Sequence, residues 1–223
     1  MSIQKKDFIE IDFTAKVKDG EVFDSNVKSE LEKLHAGHDH EIEAKPFILC
    51  IGESMFLPAI DAFLIGKEVG KEYEIELQPE NAFGKRTTQL VYTMPMKIFR
   101  EKNVNPFPGL TLNFDGRVGK ILTVSGGRVT VDFNHFLAGK PVAYQIKVKR
   151  KVDDLNEKID SLNEFFFRKK FKFKVEGKNL TLEVEKPLIQ FVDAFKDKFL
   201  SVLELNLKVE EAKEQDNNLK KSQ

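Results

Sequence analysis

The sequence contains no tryptophan, only three tyrosines and a single cysteine, whereas phenylalanine occurs twenty times in 223 residues. One cysteine, Cys50, excludes a disulfide within the chain and any zinc site built on several thiolates. Cys50 lies in the apolar run Phe47–Ile51, which predicts a buried and unreactive thiol. The excess of phenylalanine indicates a protein that uses aromatic rings without polar groups.

An excess of charge of one sign is also lacking, since 36 Lys and Arg balance 36 Asp and Glu. Nucleic-acid-binding proteins usually carry a basic surplus, so the balance argues against that class. No uncharged apolar stretch approaches the roughly 18 residues that a membrane helix needs. The first residues contain no apolar signal core. We therefore expect a cytoplasmic protein that binds neither nucleic acid nor a membrane.

The first third of the chain predicts a small β-rich unit with one short helix. Pro58 at a first helical turn and Gly66 behind it predict a helix over residues 58–64. Residues 26–45 are polar and carry three of the four histidines, which favours a solvated loop. Alternating apolar and polar residues indicate strands over 8–17, 21–24, 46–52 and 71–77.

The middle of the chain predicts a small barrel or sandwich of short strands. Glycines separate the strand candidates at intervals of about ten residues, as is typical of such folds. Residues 95–99 favour a helical turn. The strand candidates are residues 89–92, 110–114, 120–124, 128–133 and 141–148.

The last third predicts an α/β segment followed by a polar, disordered tail over 213–223. A core of about 70 residues is barely stable alone, so exposed apolar surface would be covered by a second copy or used on clients. Of these two uses we favour a homodimer. Helices are predicted over 152–166 and 187–203, and strands over 169–175, 180–184 and 205–209.

Four short stretches, in this order, resemble the FKBP-type peptidyl-prolyl isomerases. They are Gly20–Ser25, then Gly52 with Phe56–Asp61, then Pro79–Gly84, and then Asp132–Gly139. The last stretch resembles a motif of the SlyD-like branch, whose members carry an insert-in-flap domain within the flap loop. The additional C-terminal segment resembles the long-chain archaeal type.

The resemblance implies an α+β fold. It consists of an FKBP half-barrel antiparallel sheet with one short helix, an inserted small β-rich domain, and an α/β C-terminal domain. The implied isomerase domain is discontinuous, formed by residues 1–86 and 137–151. The insert-in-flap domain spans 87–136, and the C-terminal domain spans 152–212.

The resemblance also implies a proline pocket. An acidic residue beside it matches Asp24, and its floor, usually tryptophan, matches Ile60. Phe13 and Phe83 stand where most members have tyrosine, so two hydroxyls are missing. The segment whose backbone pairs with the bound peptide matches Met55, Phe56 and Leu57. The aromatic lining matches Phe13, Phe23, Phe47, Phe83 and Tyr144.

The function implied is peptidyl-prolyl cis-trans isomerisation that accelerates proline-limited folding, with no cofactor. Rotation about the X-Pro bond has a barrier of about 18–20 kcal/mol, and an apolar pocket favours the twisted, less dipolar amide. The implied chaperone site in the insert would hold unfolded or partly folded proteins. Its candidate client-binding residues are Leu90, Met94, Met96, Ile98, Phe99, His135 and Leu137.

Three alternatives remain open at the level of the sequence. The missing hydroxyls and the Trp-to-Ile change also fit a non-catalytic peptide-binding chaperone with a degenerate pocket. His35, His38 and His40 form a candidate zinc or nickel cluster, although a solvated loop explains them as well. His135 fits a structural residue at the return strand of the insert as well as a residue of the site.

Overall fold

The computed structural model describes residues 1–34, 36 and 44–212. Up to Leu77 the described residues form β1 (Phe8–Val17), β2 (Val22–Ser25), α1 (Lys28–Leu34), β3 (Phe47–Cys50), α2 (Pro58–Leu64) and β4 (Glu72–Leu77). The predicted strands and the helix over 58–64 are confirmed. Helix α1 lies in a segment that was predicted to be a loop. The helix buries none of its residues, so its sequence lacks the amphipathic pattern that would indicate a helix.

The middle of the chain consists of short strands and one short helix, as predicted. They are β5 (Val91–Pro95), α3 (Met96–Glu101), β6 (Thr111–Phe114), β7 (Arg117–Ser125), β8 (Arg128–Asp132) and β9 (Val142–Lys151). Single 3-10 turns occupy Pro79–Asn81 and Thr88–Leu90. The predicted strand over 89–92 is therefore shifted, since its first two residues lie in the second of these turns.

The last third alternates helices and strands: α4 (Leu155–Phe167), β10 (Lys172–Glu176), β11 (Asn179–Val184), α5 (Ile189–Asp193), α6 (Lys196–Leu203) and β12 (Asn206–Glu211). The single helix predicted over 187–203 is wrong. Ala194 and Phe195 interrupt it, with Phe195 at φ −94° and ψ 7°, outside the α-helical region. The tail predicted over 213–223 lies outside the described residues.

The described strands form three sheets, so the fold is mixed α+β, as predicted. A five-stranded sheet has the order β2-β1-β9-β4, with β3 pairing antiparallel to β1. A four-stranded antiparallel sheet has the order β5-β8-β7-β6. In the third sheet β11 pairs antiparallel with β10 and parallel with β12. Among the described residues, no helix is long and apolar enough to cross a membrane.

The chain divides into two compact units. Unit 1 contains residues 1–14, 25–73 and those from 145 onward, and unit 2 contains residues 15–24 and 74–144. In unit 1, helix α4 packs against β3, whose last residue Cys50 is fully buried. Burial, with a smaller contribution from the charge of Glu53, raises the pKa of the Cys50 thiol to about 12. The predicted burial of this thiol is confirmed.

Polar contacts within unit 1 join the C-terminal segment to the N-terminal residues. Lys198 of α6 forms an ion pair with Glu53 in the loop after β3. The Lys6 ammonium group donates to the carbonyl oxygen of Ser201 at 3.0 Å. In α4, Asn163 is fully buried, and neither its side-chain nitrogen nor its oxygen has a hydrogen-bond partner. Within unit 1, the C-terminal segment thus contacts the N-terminal part of the chain through the packing of α4 on β3 and through these polar contacts.

The four-stranded sheet of unit 2 has a core of its own. Phe99 of α3 packs with Ile121, Val129 and Val131, all of them at most 3% exposed. Partly buried residues surround this core, among them Met94, Met96, Leu110, Leu112, Phe114 and Phe133. At the base of the sheet the Phe133 amide donates to the Leu90 carbonyl at 2.9 Å, which closes the strand pair β5–β8.

Candidate functional site

Two of the predicted pocket rings, together with Phe56 of the predicted peptide-pairing segment, form one aromatic cluster in unit 1, which we call the Phe13 cluster. Phe13 of β1, Phe47 of β3 and Phe56 of the following loop have ring centroids 5.0 to 5.6 Å apart. Pairing of β1 with β3 places Ile11 opposite Phe47 and so brings the two strands' rings to the same region. Such tilted and edge-to-face pairs are favourable aromatic geometries.

The loop that carries Phe56 is held by a buried carboxylate of α2. Asp61 is 4% exposed, and its Oδ2 accepts hydrogen bonds from the backbone amides of Gly52 (3.0 Å) and Ser54 (3.2 Å). Burial raises the pKa of Asp61, and the two amide donors oppose that shift. Gly52 adopts φ +86°, where a side chain would also meet Lys5 at 2.9 Å. Asp61 therefore fixes the conformation of this loop.

The remaining predicted residues of this region differ in accessibility. Ile60, matched to the pocket floor, is fully buried on α2, and Met55 is 4% exposed. The Cys50 amide lies 3.2 Å from the Met55 sulfur. Leu57 is half-buried and extended immediately before α2, at φ −64° and ψ 131°. Met55 and Ile60 thus belong to the core of unit 1.

Three further predicted rings meet in unit 2, and we call them, with His135, the Phe83 cluster. Phe23 of β2 contacts Phe83 and Tyr144 edge to face, with centroids 5.7 and 6.1 Å apart. Phe83 follows the 3-10 turn over Pro79–Asn81, and the carbonyl of Gly84 accepts from the Gly139 amide at 2.8 Å. This hydrogen bond brings the segment after β8 next to Phe83.

Tyr144 is the ring of this cluster that carries a hydroxyl, and it is 3% exposed. Burial raises the pKa of Tyr144, and the negative charge of nearby Asp24 raises it further. Asp24 itself lies on β2 with an exposed side chain. The phenol therefore stays neutral, and the exposed negative charge beside the rings belongs to Asp24.

His135 stacks on Phe83 with the two rings parallel within 5° and their centroids 4.9 Å apart. Its Nδ1 accepts a hydrogen bond from the Leu137 amide at 3.2 Å. Phe136 also contacts His135, with ring centroids 4.8 Å apart, and is 65% exposed. Neither the stack nor the exposure of Phe136 was predicted, although both residues lie in the motif over 132–139.

The predicted client-binding residues divide into buried and accessible ones. Phe99 and Leu137 are 3% and 1% exposed, so their side chains lie in the core and this part of the expectation is corrected. Leu90, Met94 and Met96 are half-buried. Ile98 is 42% exposed, and three further side chains of this region are also exposed, namely Tyr92, Phe107 and Val118.

The predicted metal candidates His35, His38 and His40 lie outside the described residues. Within residues 1–34, 36 and 44–212, no three His, Cys, Asp or Glu side chains converge as a metal site requires.

Comparison with known proteins assigns most of the chain. A model of FKBP-type peptidyl-prolyl cis-trans isomerases matches residues 1–101, and a model described as "FKBP26, IF domain" matches residues 92–137. A short-type peptidyl-prolyl cis-trans isomerase of Methanocaldococcus jannaschii is 32% identical over 147 residues, covering 66% of this chain and 92% of the relative.

Two further proteins show lower similarity. The FKBP-type peptidyl-prolyl cis-trans isomerase SlyD of Haemophilus influenzae is 26% identical, covering 66% of this chain and 72% of the relative. The solved structure of the three FKBP domains of wheat FKBP73 aligns over 69% of this chain and 42% of that chain, at 15% identity and a TM-score of 0.35. Because the Methanocaldococcus relative matches over nearly its whole length, this chain belongs to the FKBP-type peptidyl-prolyl cis-trans isomerases.

Proposed function

We propose that this isomerase acts on X-Pro bonds of unfolded chains, that the Phe13 cluster and the Phe83 cluster are its two candidate proline-binding surfaces, each within its own unit, and that the insert holds the client. The observation that carries the proposal is that, within each cluster, three of the predicted site residues meet through their aromatic rings. Apart from the buried Tyr144 hydroxyl and the imidazole of His135, these rings are pure hydrocarbon.

Such surroundings suit the chemistry of amide rotation. Rotation breaks no σ bond and moves no proton, but it removes the resonance that makes the planar amide strongly dipolar. A hydrocarbon wall solvates the planar amide poorly and so favours the twisted transition state in relative terms. An acceleration of about 10³ needs only about 4 kcal/mol of differential binding. Asp24 adds a negative charge at the edge of the Phe83 cluster and serves to orient the substrate.

The holding activity rests on the exposed apolar residues of the insert. Ile98 and Phe107 are 42% and 56% exposed, while the core around Phe99 is complete without them. Exposed apolar side chains above a closed core are available to an unfolded segment without unfolding the insert itself. The half-buried Met94 and Met96 border this surface and add adaptable apolar contacts.

The isomerase site is tested by Phe47→Leu and Phe83→Leu, one variant in each cluster. Isomerisation of a blocked proline tetrapeptide is followed by NMR exchange, with Phe63→Leu as the control. Phe63 is half-buried but contacts Tyr73 instead of either cluster. We expect kcat/KM to fall about tenfold (~1.4 kcal/mol) in both test variants. Equal activity of all three variants would contradict the assignment.

The holding site is tested in the full chain by Ile98→Ser combined with Phe107→Ser. Refolding of a proline-limited protein should lose about tenfold in acceleration, whereas the tetrapeptide rate should stay unchanged. Lys97→Ser is the control, because Lys97 is an exposed polar residue on the same helix. A double variant that refolds the client as fast as the control would remove the insert from the proposal.

A further inference from the structure

The Phe83 cluster holds a hydrogen-bond donor that the isomerase chemistry described above does not use. The Leu137 amide donates to His135 Nδ1, so the neutral imidazole carries its proton on Nε2. Among the described residues, none accepts a hydrogen bond from this Nε2–H. His135 is exposed, and its ring is fixed flat against Phe83 by the stack at 4.9 Å.

Other donor side chains near Phe83 are already paired or are buried. Lys85 forms an ion pair with Glu80, and the Arg86 Nε–H donates to Asp132 at 2.8 Å. The Tyr144 hydroxyl is buried with its ring. A peptide backbone that approaches these rings nevertheless brings carbonyl oxygens, which lose hydrogen bonds to water on binding.

The geometry points to His135 as a substrate-binding residue: its Nε2–H donates to a backbone carbonyl oxygen of the peptide next to the proline, while Phe83 contacts the prolyl ring. This inference rests on the proposed isomerase site and deepens it. The hydrocarbon ring of Phe83 binds apolar surface but does not fix the orientation of the bound peptide. A fixed donor stacked upon it orients the chain, because a hydrogen bond requires alignment.

Asparagine and glutamine separate the two nitrogens of His135. The Asn side chain is short, and its amide oxygen can take the place of Nδ1 and accept from the Leu137 amide. The Gln side chain is longer, and its amide nitrogen can take the place of Nε2 and donate outward. His135→Asn thus keeps the structural bond and loses the proposed donor, whereas His135→Gln does the reverse.

The two variants should therefore rank in opposite orders in two measurements. In urea unfolding, His135→Asn should be the more stable, because the bond to Leu137 remains. In tetrapeptide isomerisation, His135→Asn should raise KM about tenfold (~1.4 kcal/mol) with little change in kcat, whereas His135→Gln should stay close to the wild-type KM. His135→Phe retains an aromatic stack on Phe83 without a donor and should raise KM as His135→Asn does.

Each result decides between the possibilities. A KM that follows the stability order, or a wild-type KM in both His135→Asn and His135→Phe, would overturn the role of Nε2–H. If Phe83→Leu lowers activity while the three His135 variants do not raise KM, the isomerase site stands and this inference fails. A wild-type protein that does not accelerate the tetrapeptide at all would overturn the isomerase site and this inference together.

Discussion

Gly119 is the position at which one added methyl group should separate the two proposed activities. It lies in β7, opposite Leu112 of β6. A Cβ atom at this position would lie 2.7 Å from Val131 Cγ1 and 2.8 Å from Phe133 Cε1. Both distances are shorter than carbon atoms tolerate, since such contacts are favourable only near 3.5–4.0 Å. Gly119→Ala therefore forces the surrounding side chains to move.

These neighbours have little freedom to move. Val131 is fully buried and β-branched, so its χ1 angle is restricted. Phe133 is held between Phe114 at 5.1 Å and the Arg117 guanidinium at 5.0 Å. Overpacking of this kind costs about 1–3 kcal/mol. Replacing a strand glycine recovers about 0.5–1 kcal/mol in chain entropy. The expected net loss in the stability of the insert is about 1–2 kcal/mol.

The loss should be local, so native-state hydrogen exchange is the appropriate assay. Amides of β7 and β8 should exchange about five- to thirtyfold faster in Gly119→Ala. The control is Val118→Ala, at the neighbouring position, where the side chain is 61% exposed. Client refolding should slow while tetrapeptide isomerisation is unchanged. Exchange in Gly119→Ala that is no faster than in Val118→Ala would refute the packing argument.

Three further predictions concern unit 1 and are measured by urea unfolding. Burial raises the pKa of Asp61 above its ordinary value of 3.8, so its stabilising contribution is present below that pH and is lost as pH rises through the folded-state pKa. The stability of Asp61→Asn relative to wild type should therefore increase as pH rises above 3.8, and a pH-independent difference would contradict this. Asn163→Leu should raise the free energy of unfolding by about 1–3 kcal/mol, because it removes two buried polar groups without partners, and a loss of stability would show that the amide is satisfied. Lys198→Ala should lower the free energy of unfolding by about 1–3 kcal/mol, because it leaves the Glu53 carboxylate, 11% exposed, without its partner. Lys196→Ala, on the same helix, should lower it by less than about 1 kcal/mol, because Lys196 is half exposed. Equal losses of stability in the two variants would refute this difference.

The spacing of apolar residues in the sequence predicted those strands and helices whose buried positions follow one regular pattern. Strand β1 is buried over its first four residues and then alternates, and α2 begins with Pro58, so both were predictable from local sequence. Helix α1 has no buried residue and therefore no apolar stripe to recognise. In the segment over 187–203 the apolar positions Val192 and Phe199 are indeed buried, but spacing on a face does not reveal a break at Ala194. The parallel pairing of β11 with β12 is likewise invisible in a local pattern.

The motifs predicted which residues belong to the candidate site, but they did not predict which of these residues contact one another. Matching motifs gave the rings of both clusters, including Phe13 and Phe23, because each motif fixes a residue within its own stretch. The stack of His135 on Phe83 joins two motifs separated by about fifty residues, and no local pattern encodes such a contact. Phe136 was overlooked for the same reason. The aromatic residue directly after the histidine was the signal that could have indicated it.

Cys50 gives the molecule a chemical reporter of its own. It is the one thiol in the sequence, it is fully buried at the end of β3, and its pKa of about 12 keeps it protonated at neutral pH. A thiol reagent can therefore label the native protein only when β3 opens, so the labelling rate measures the population of that opened state. Because α4 packs against the same strand, this rate should register how firmly the C-terminal segment is bound without any engineered probe.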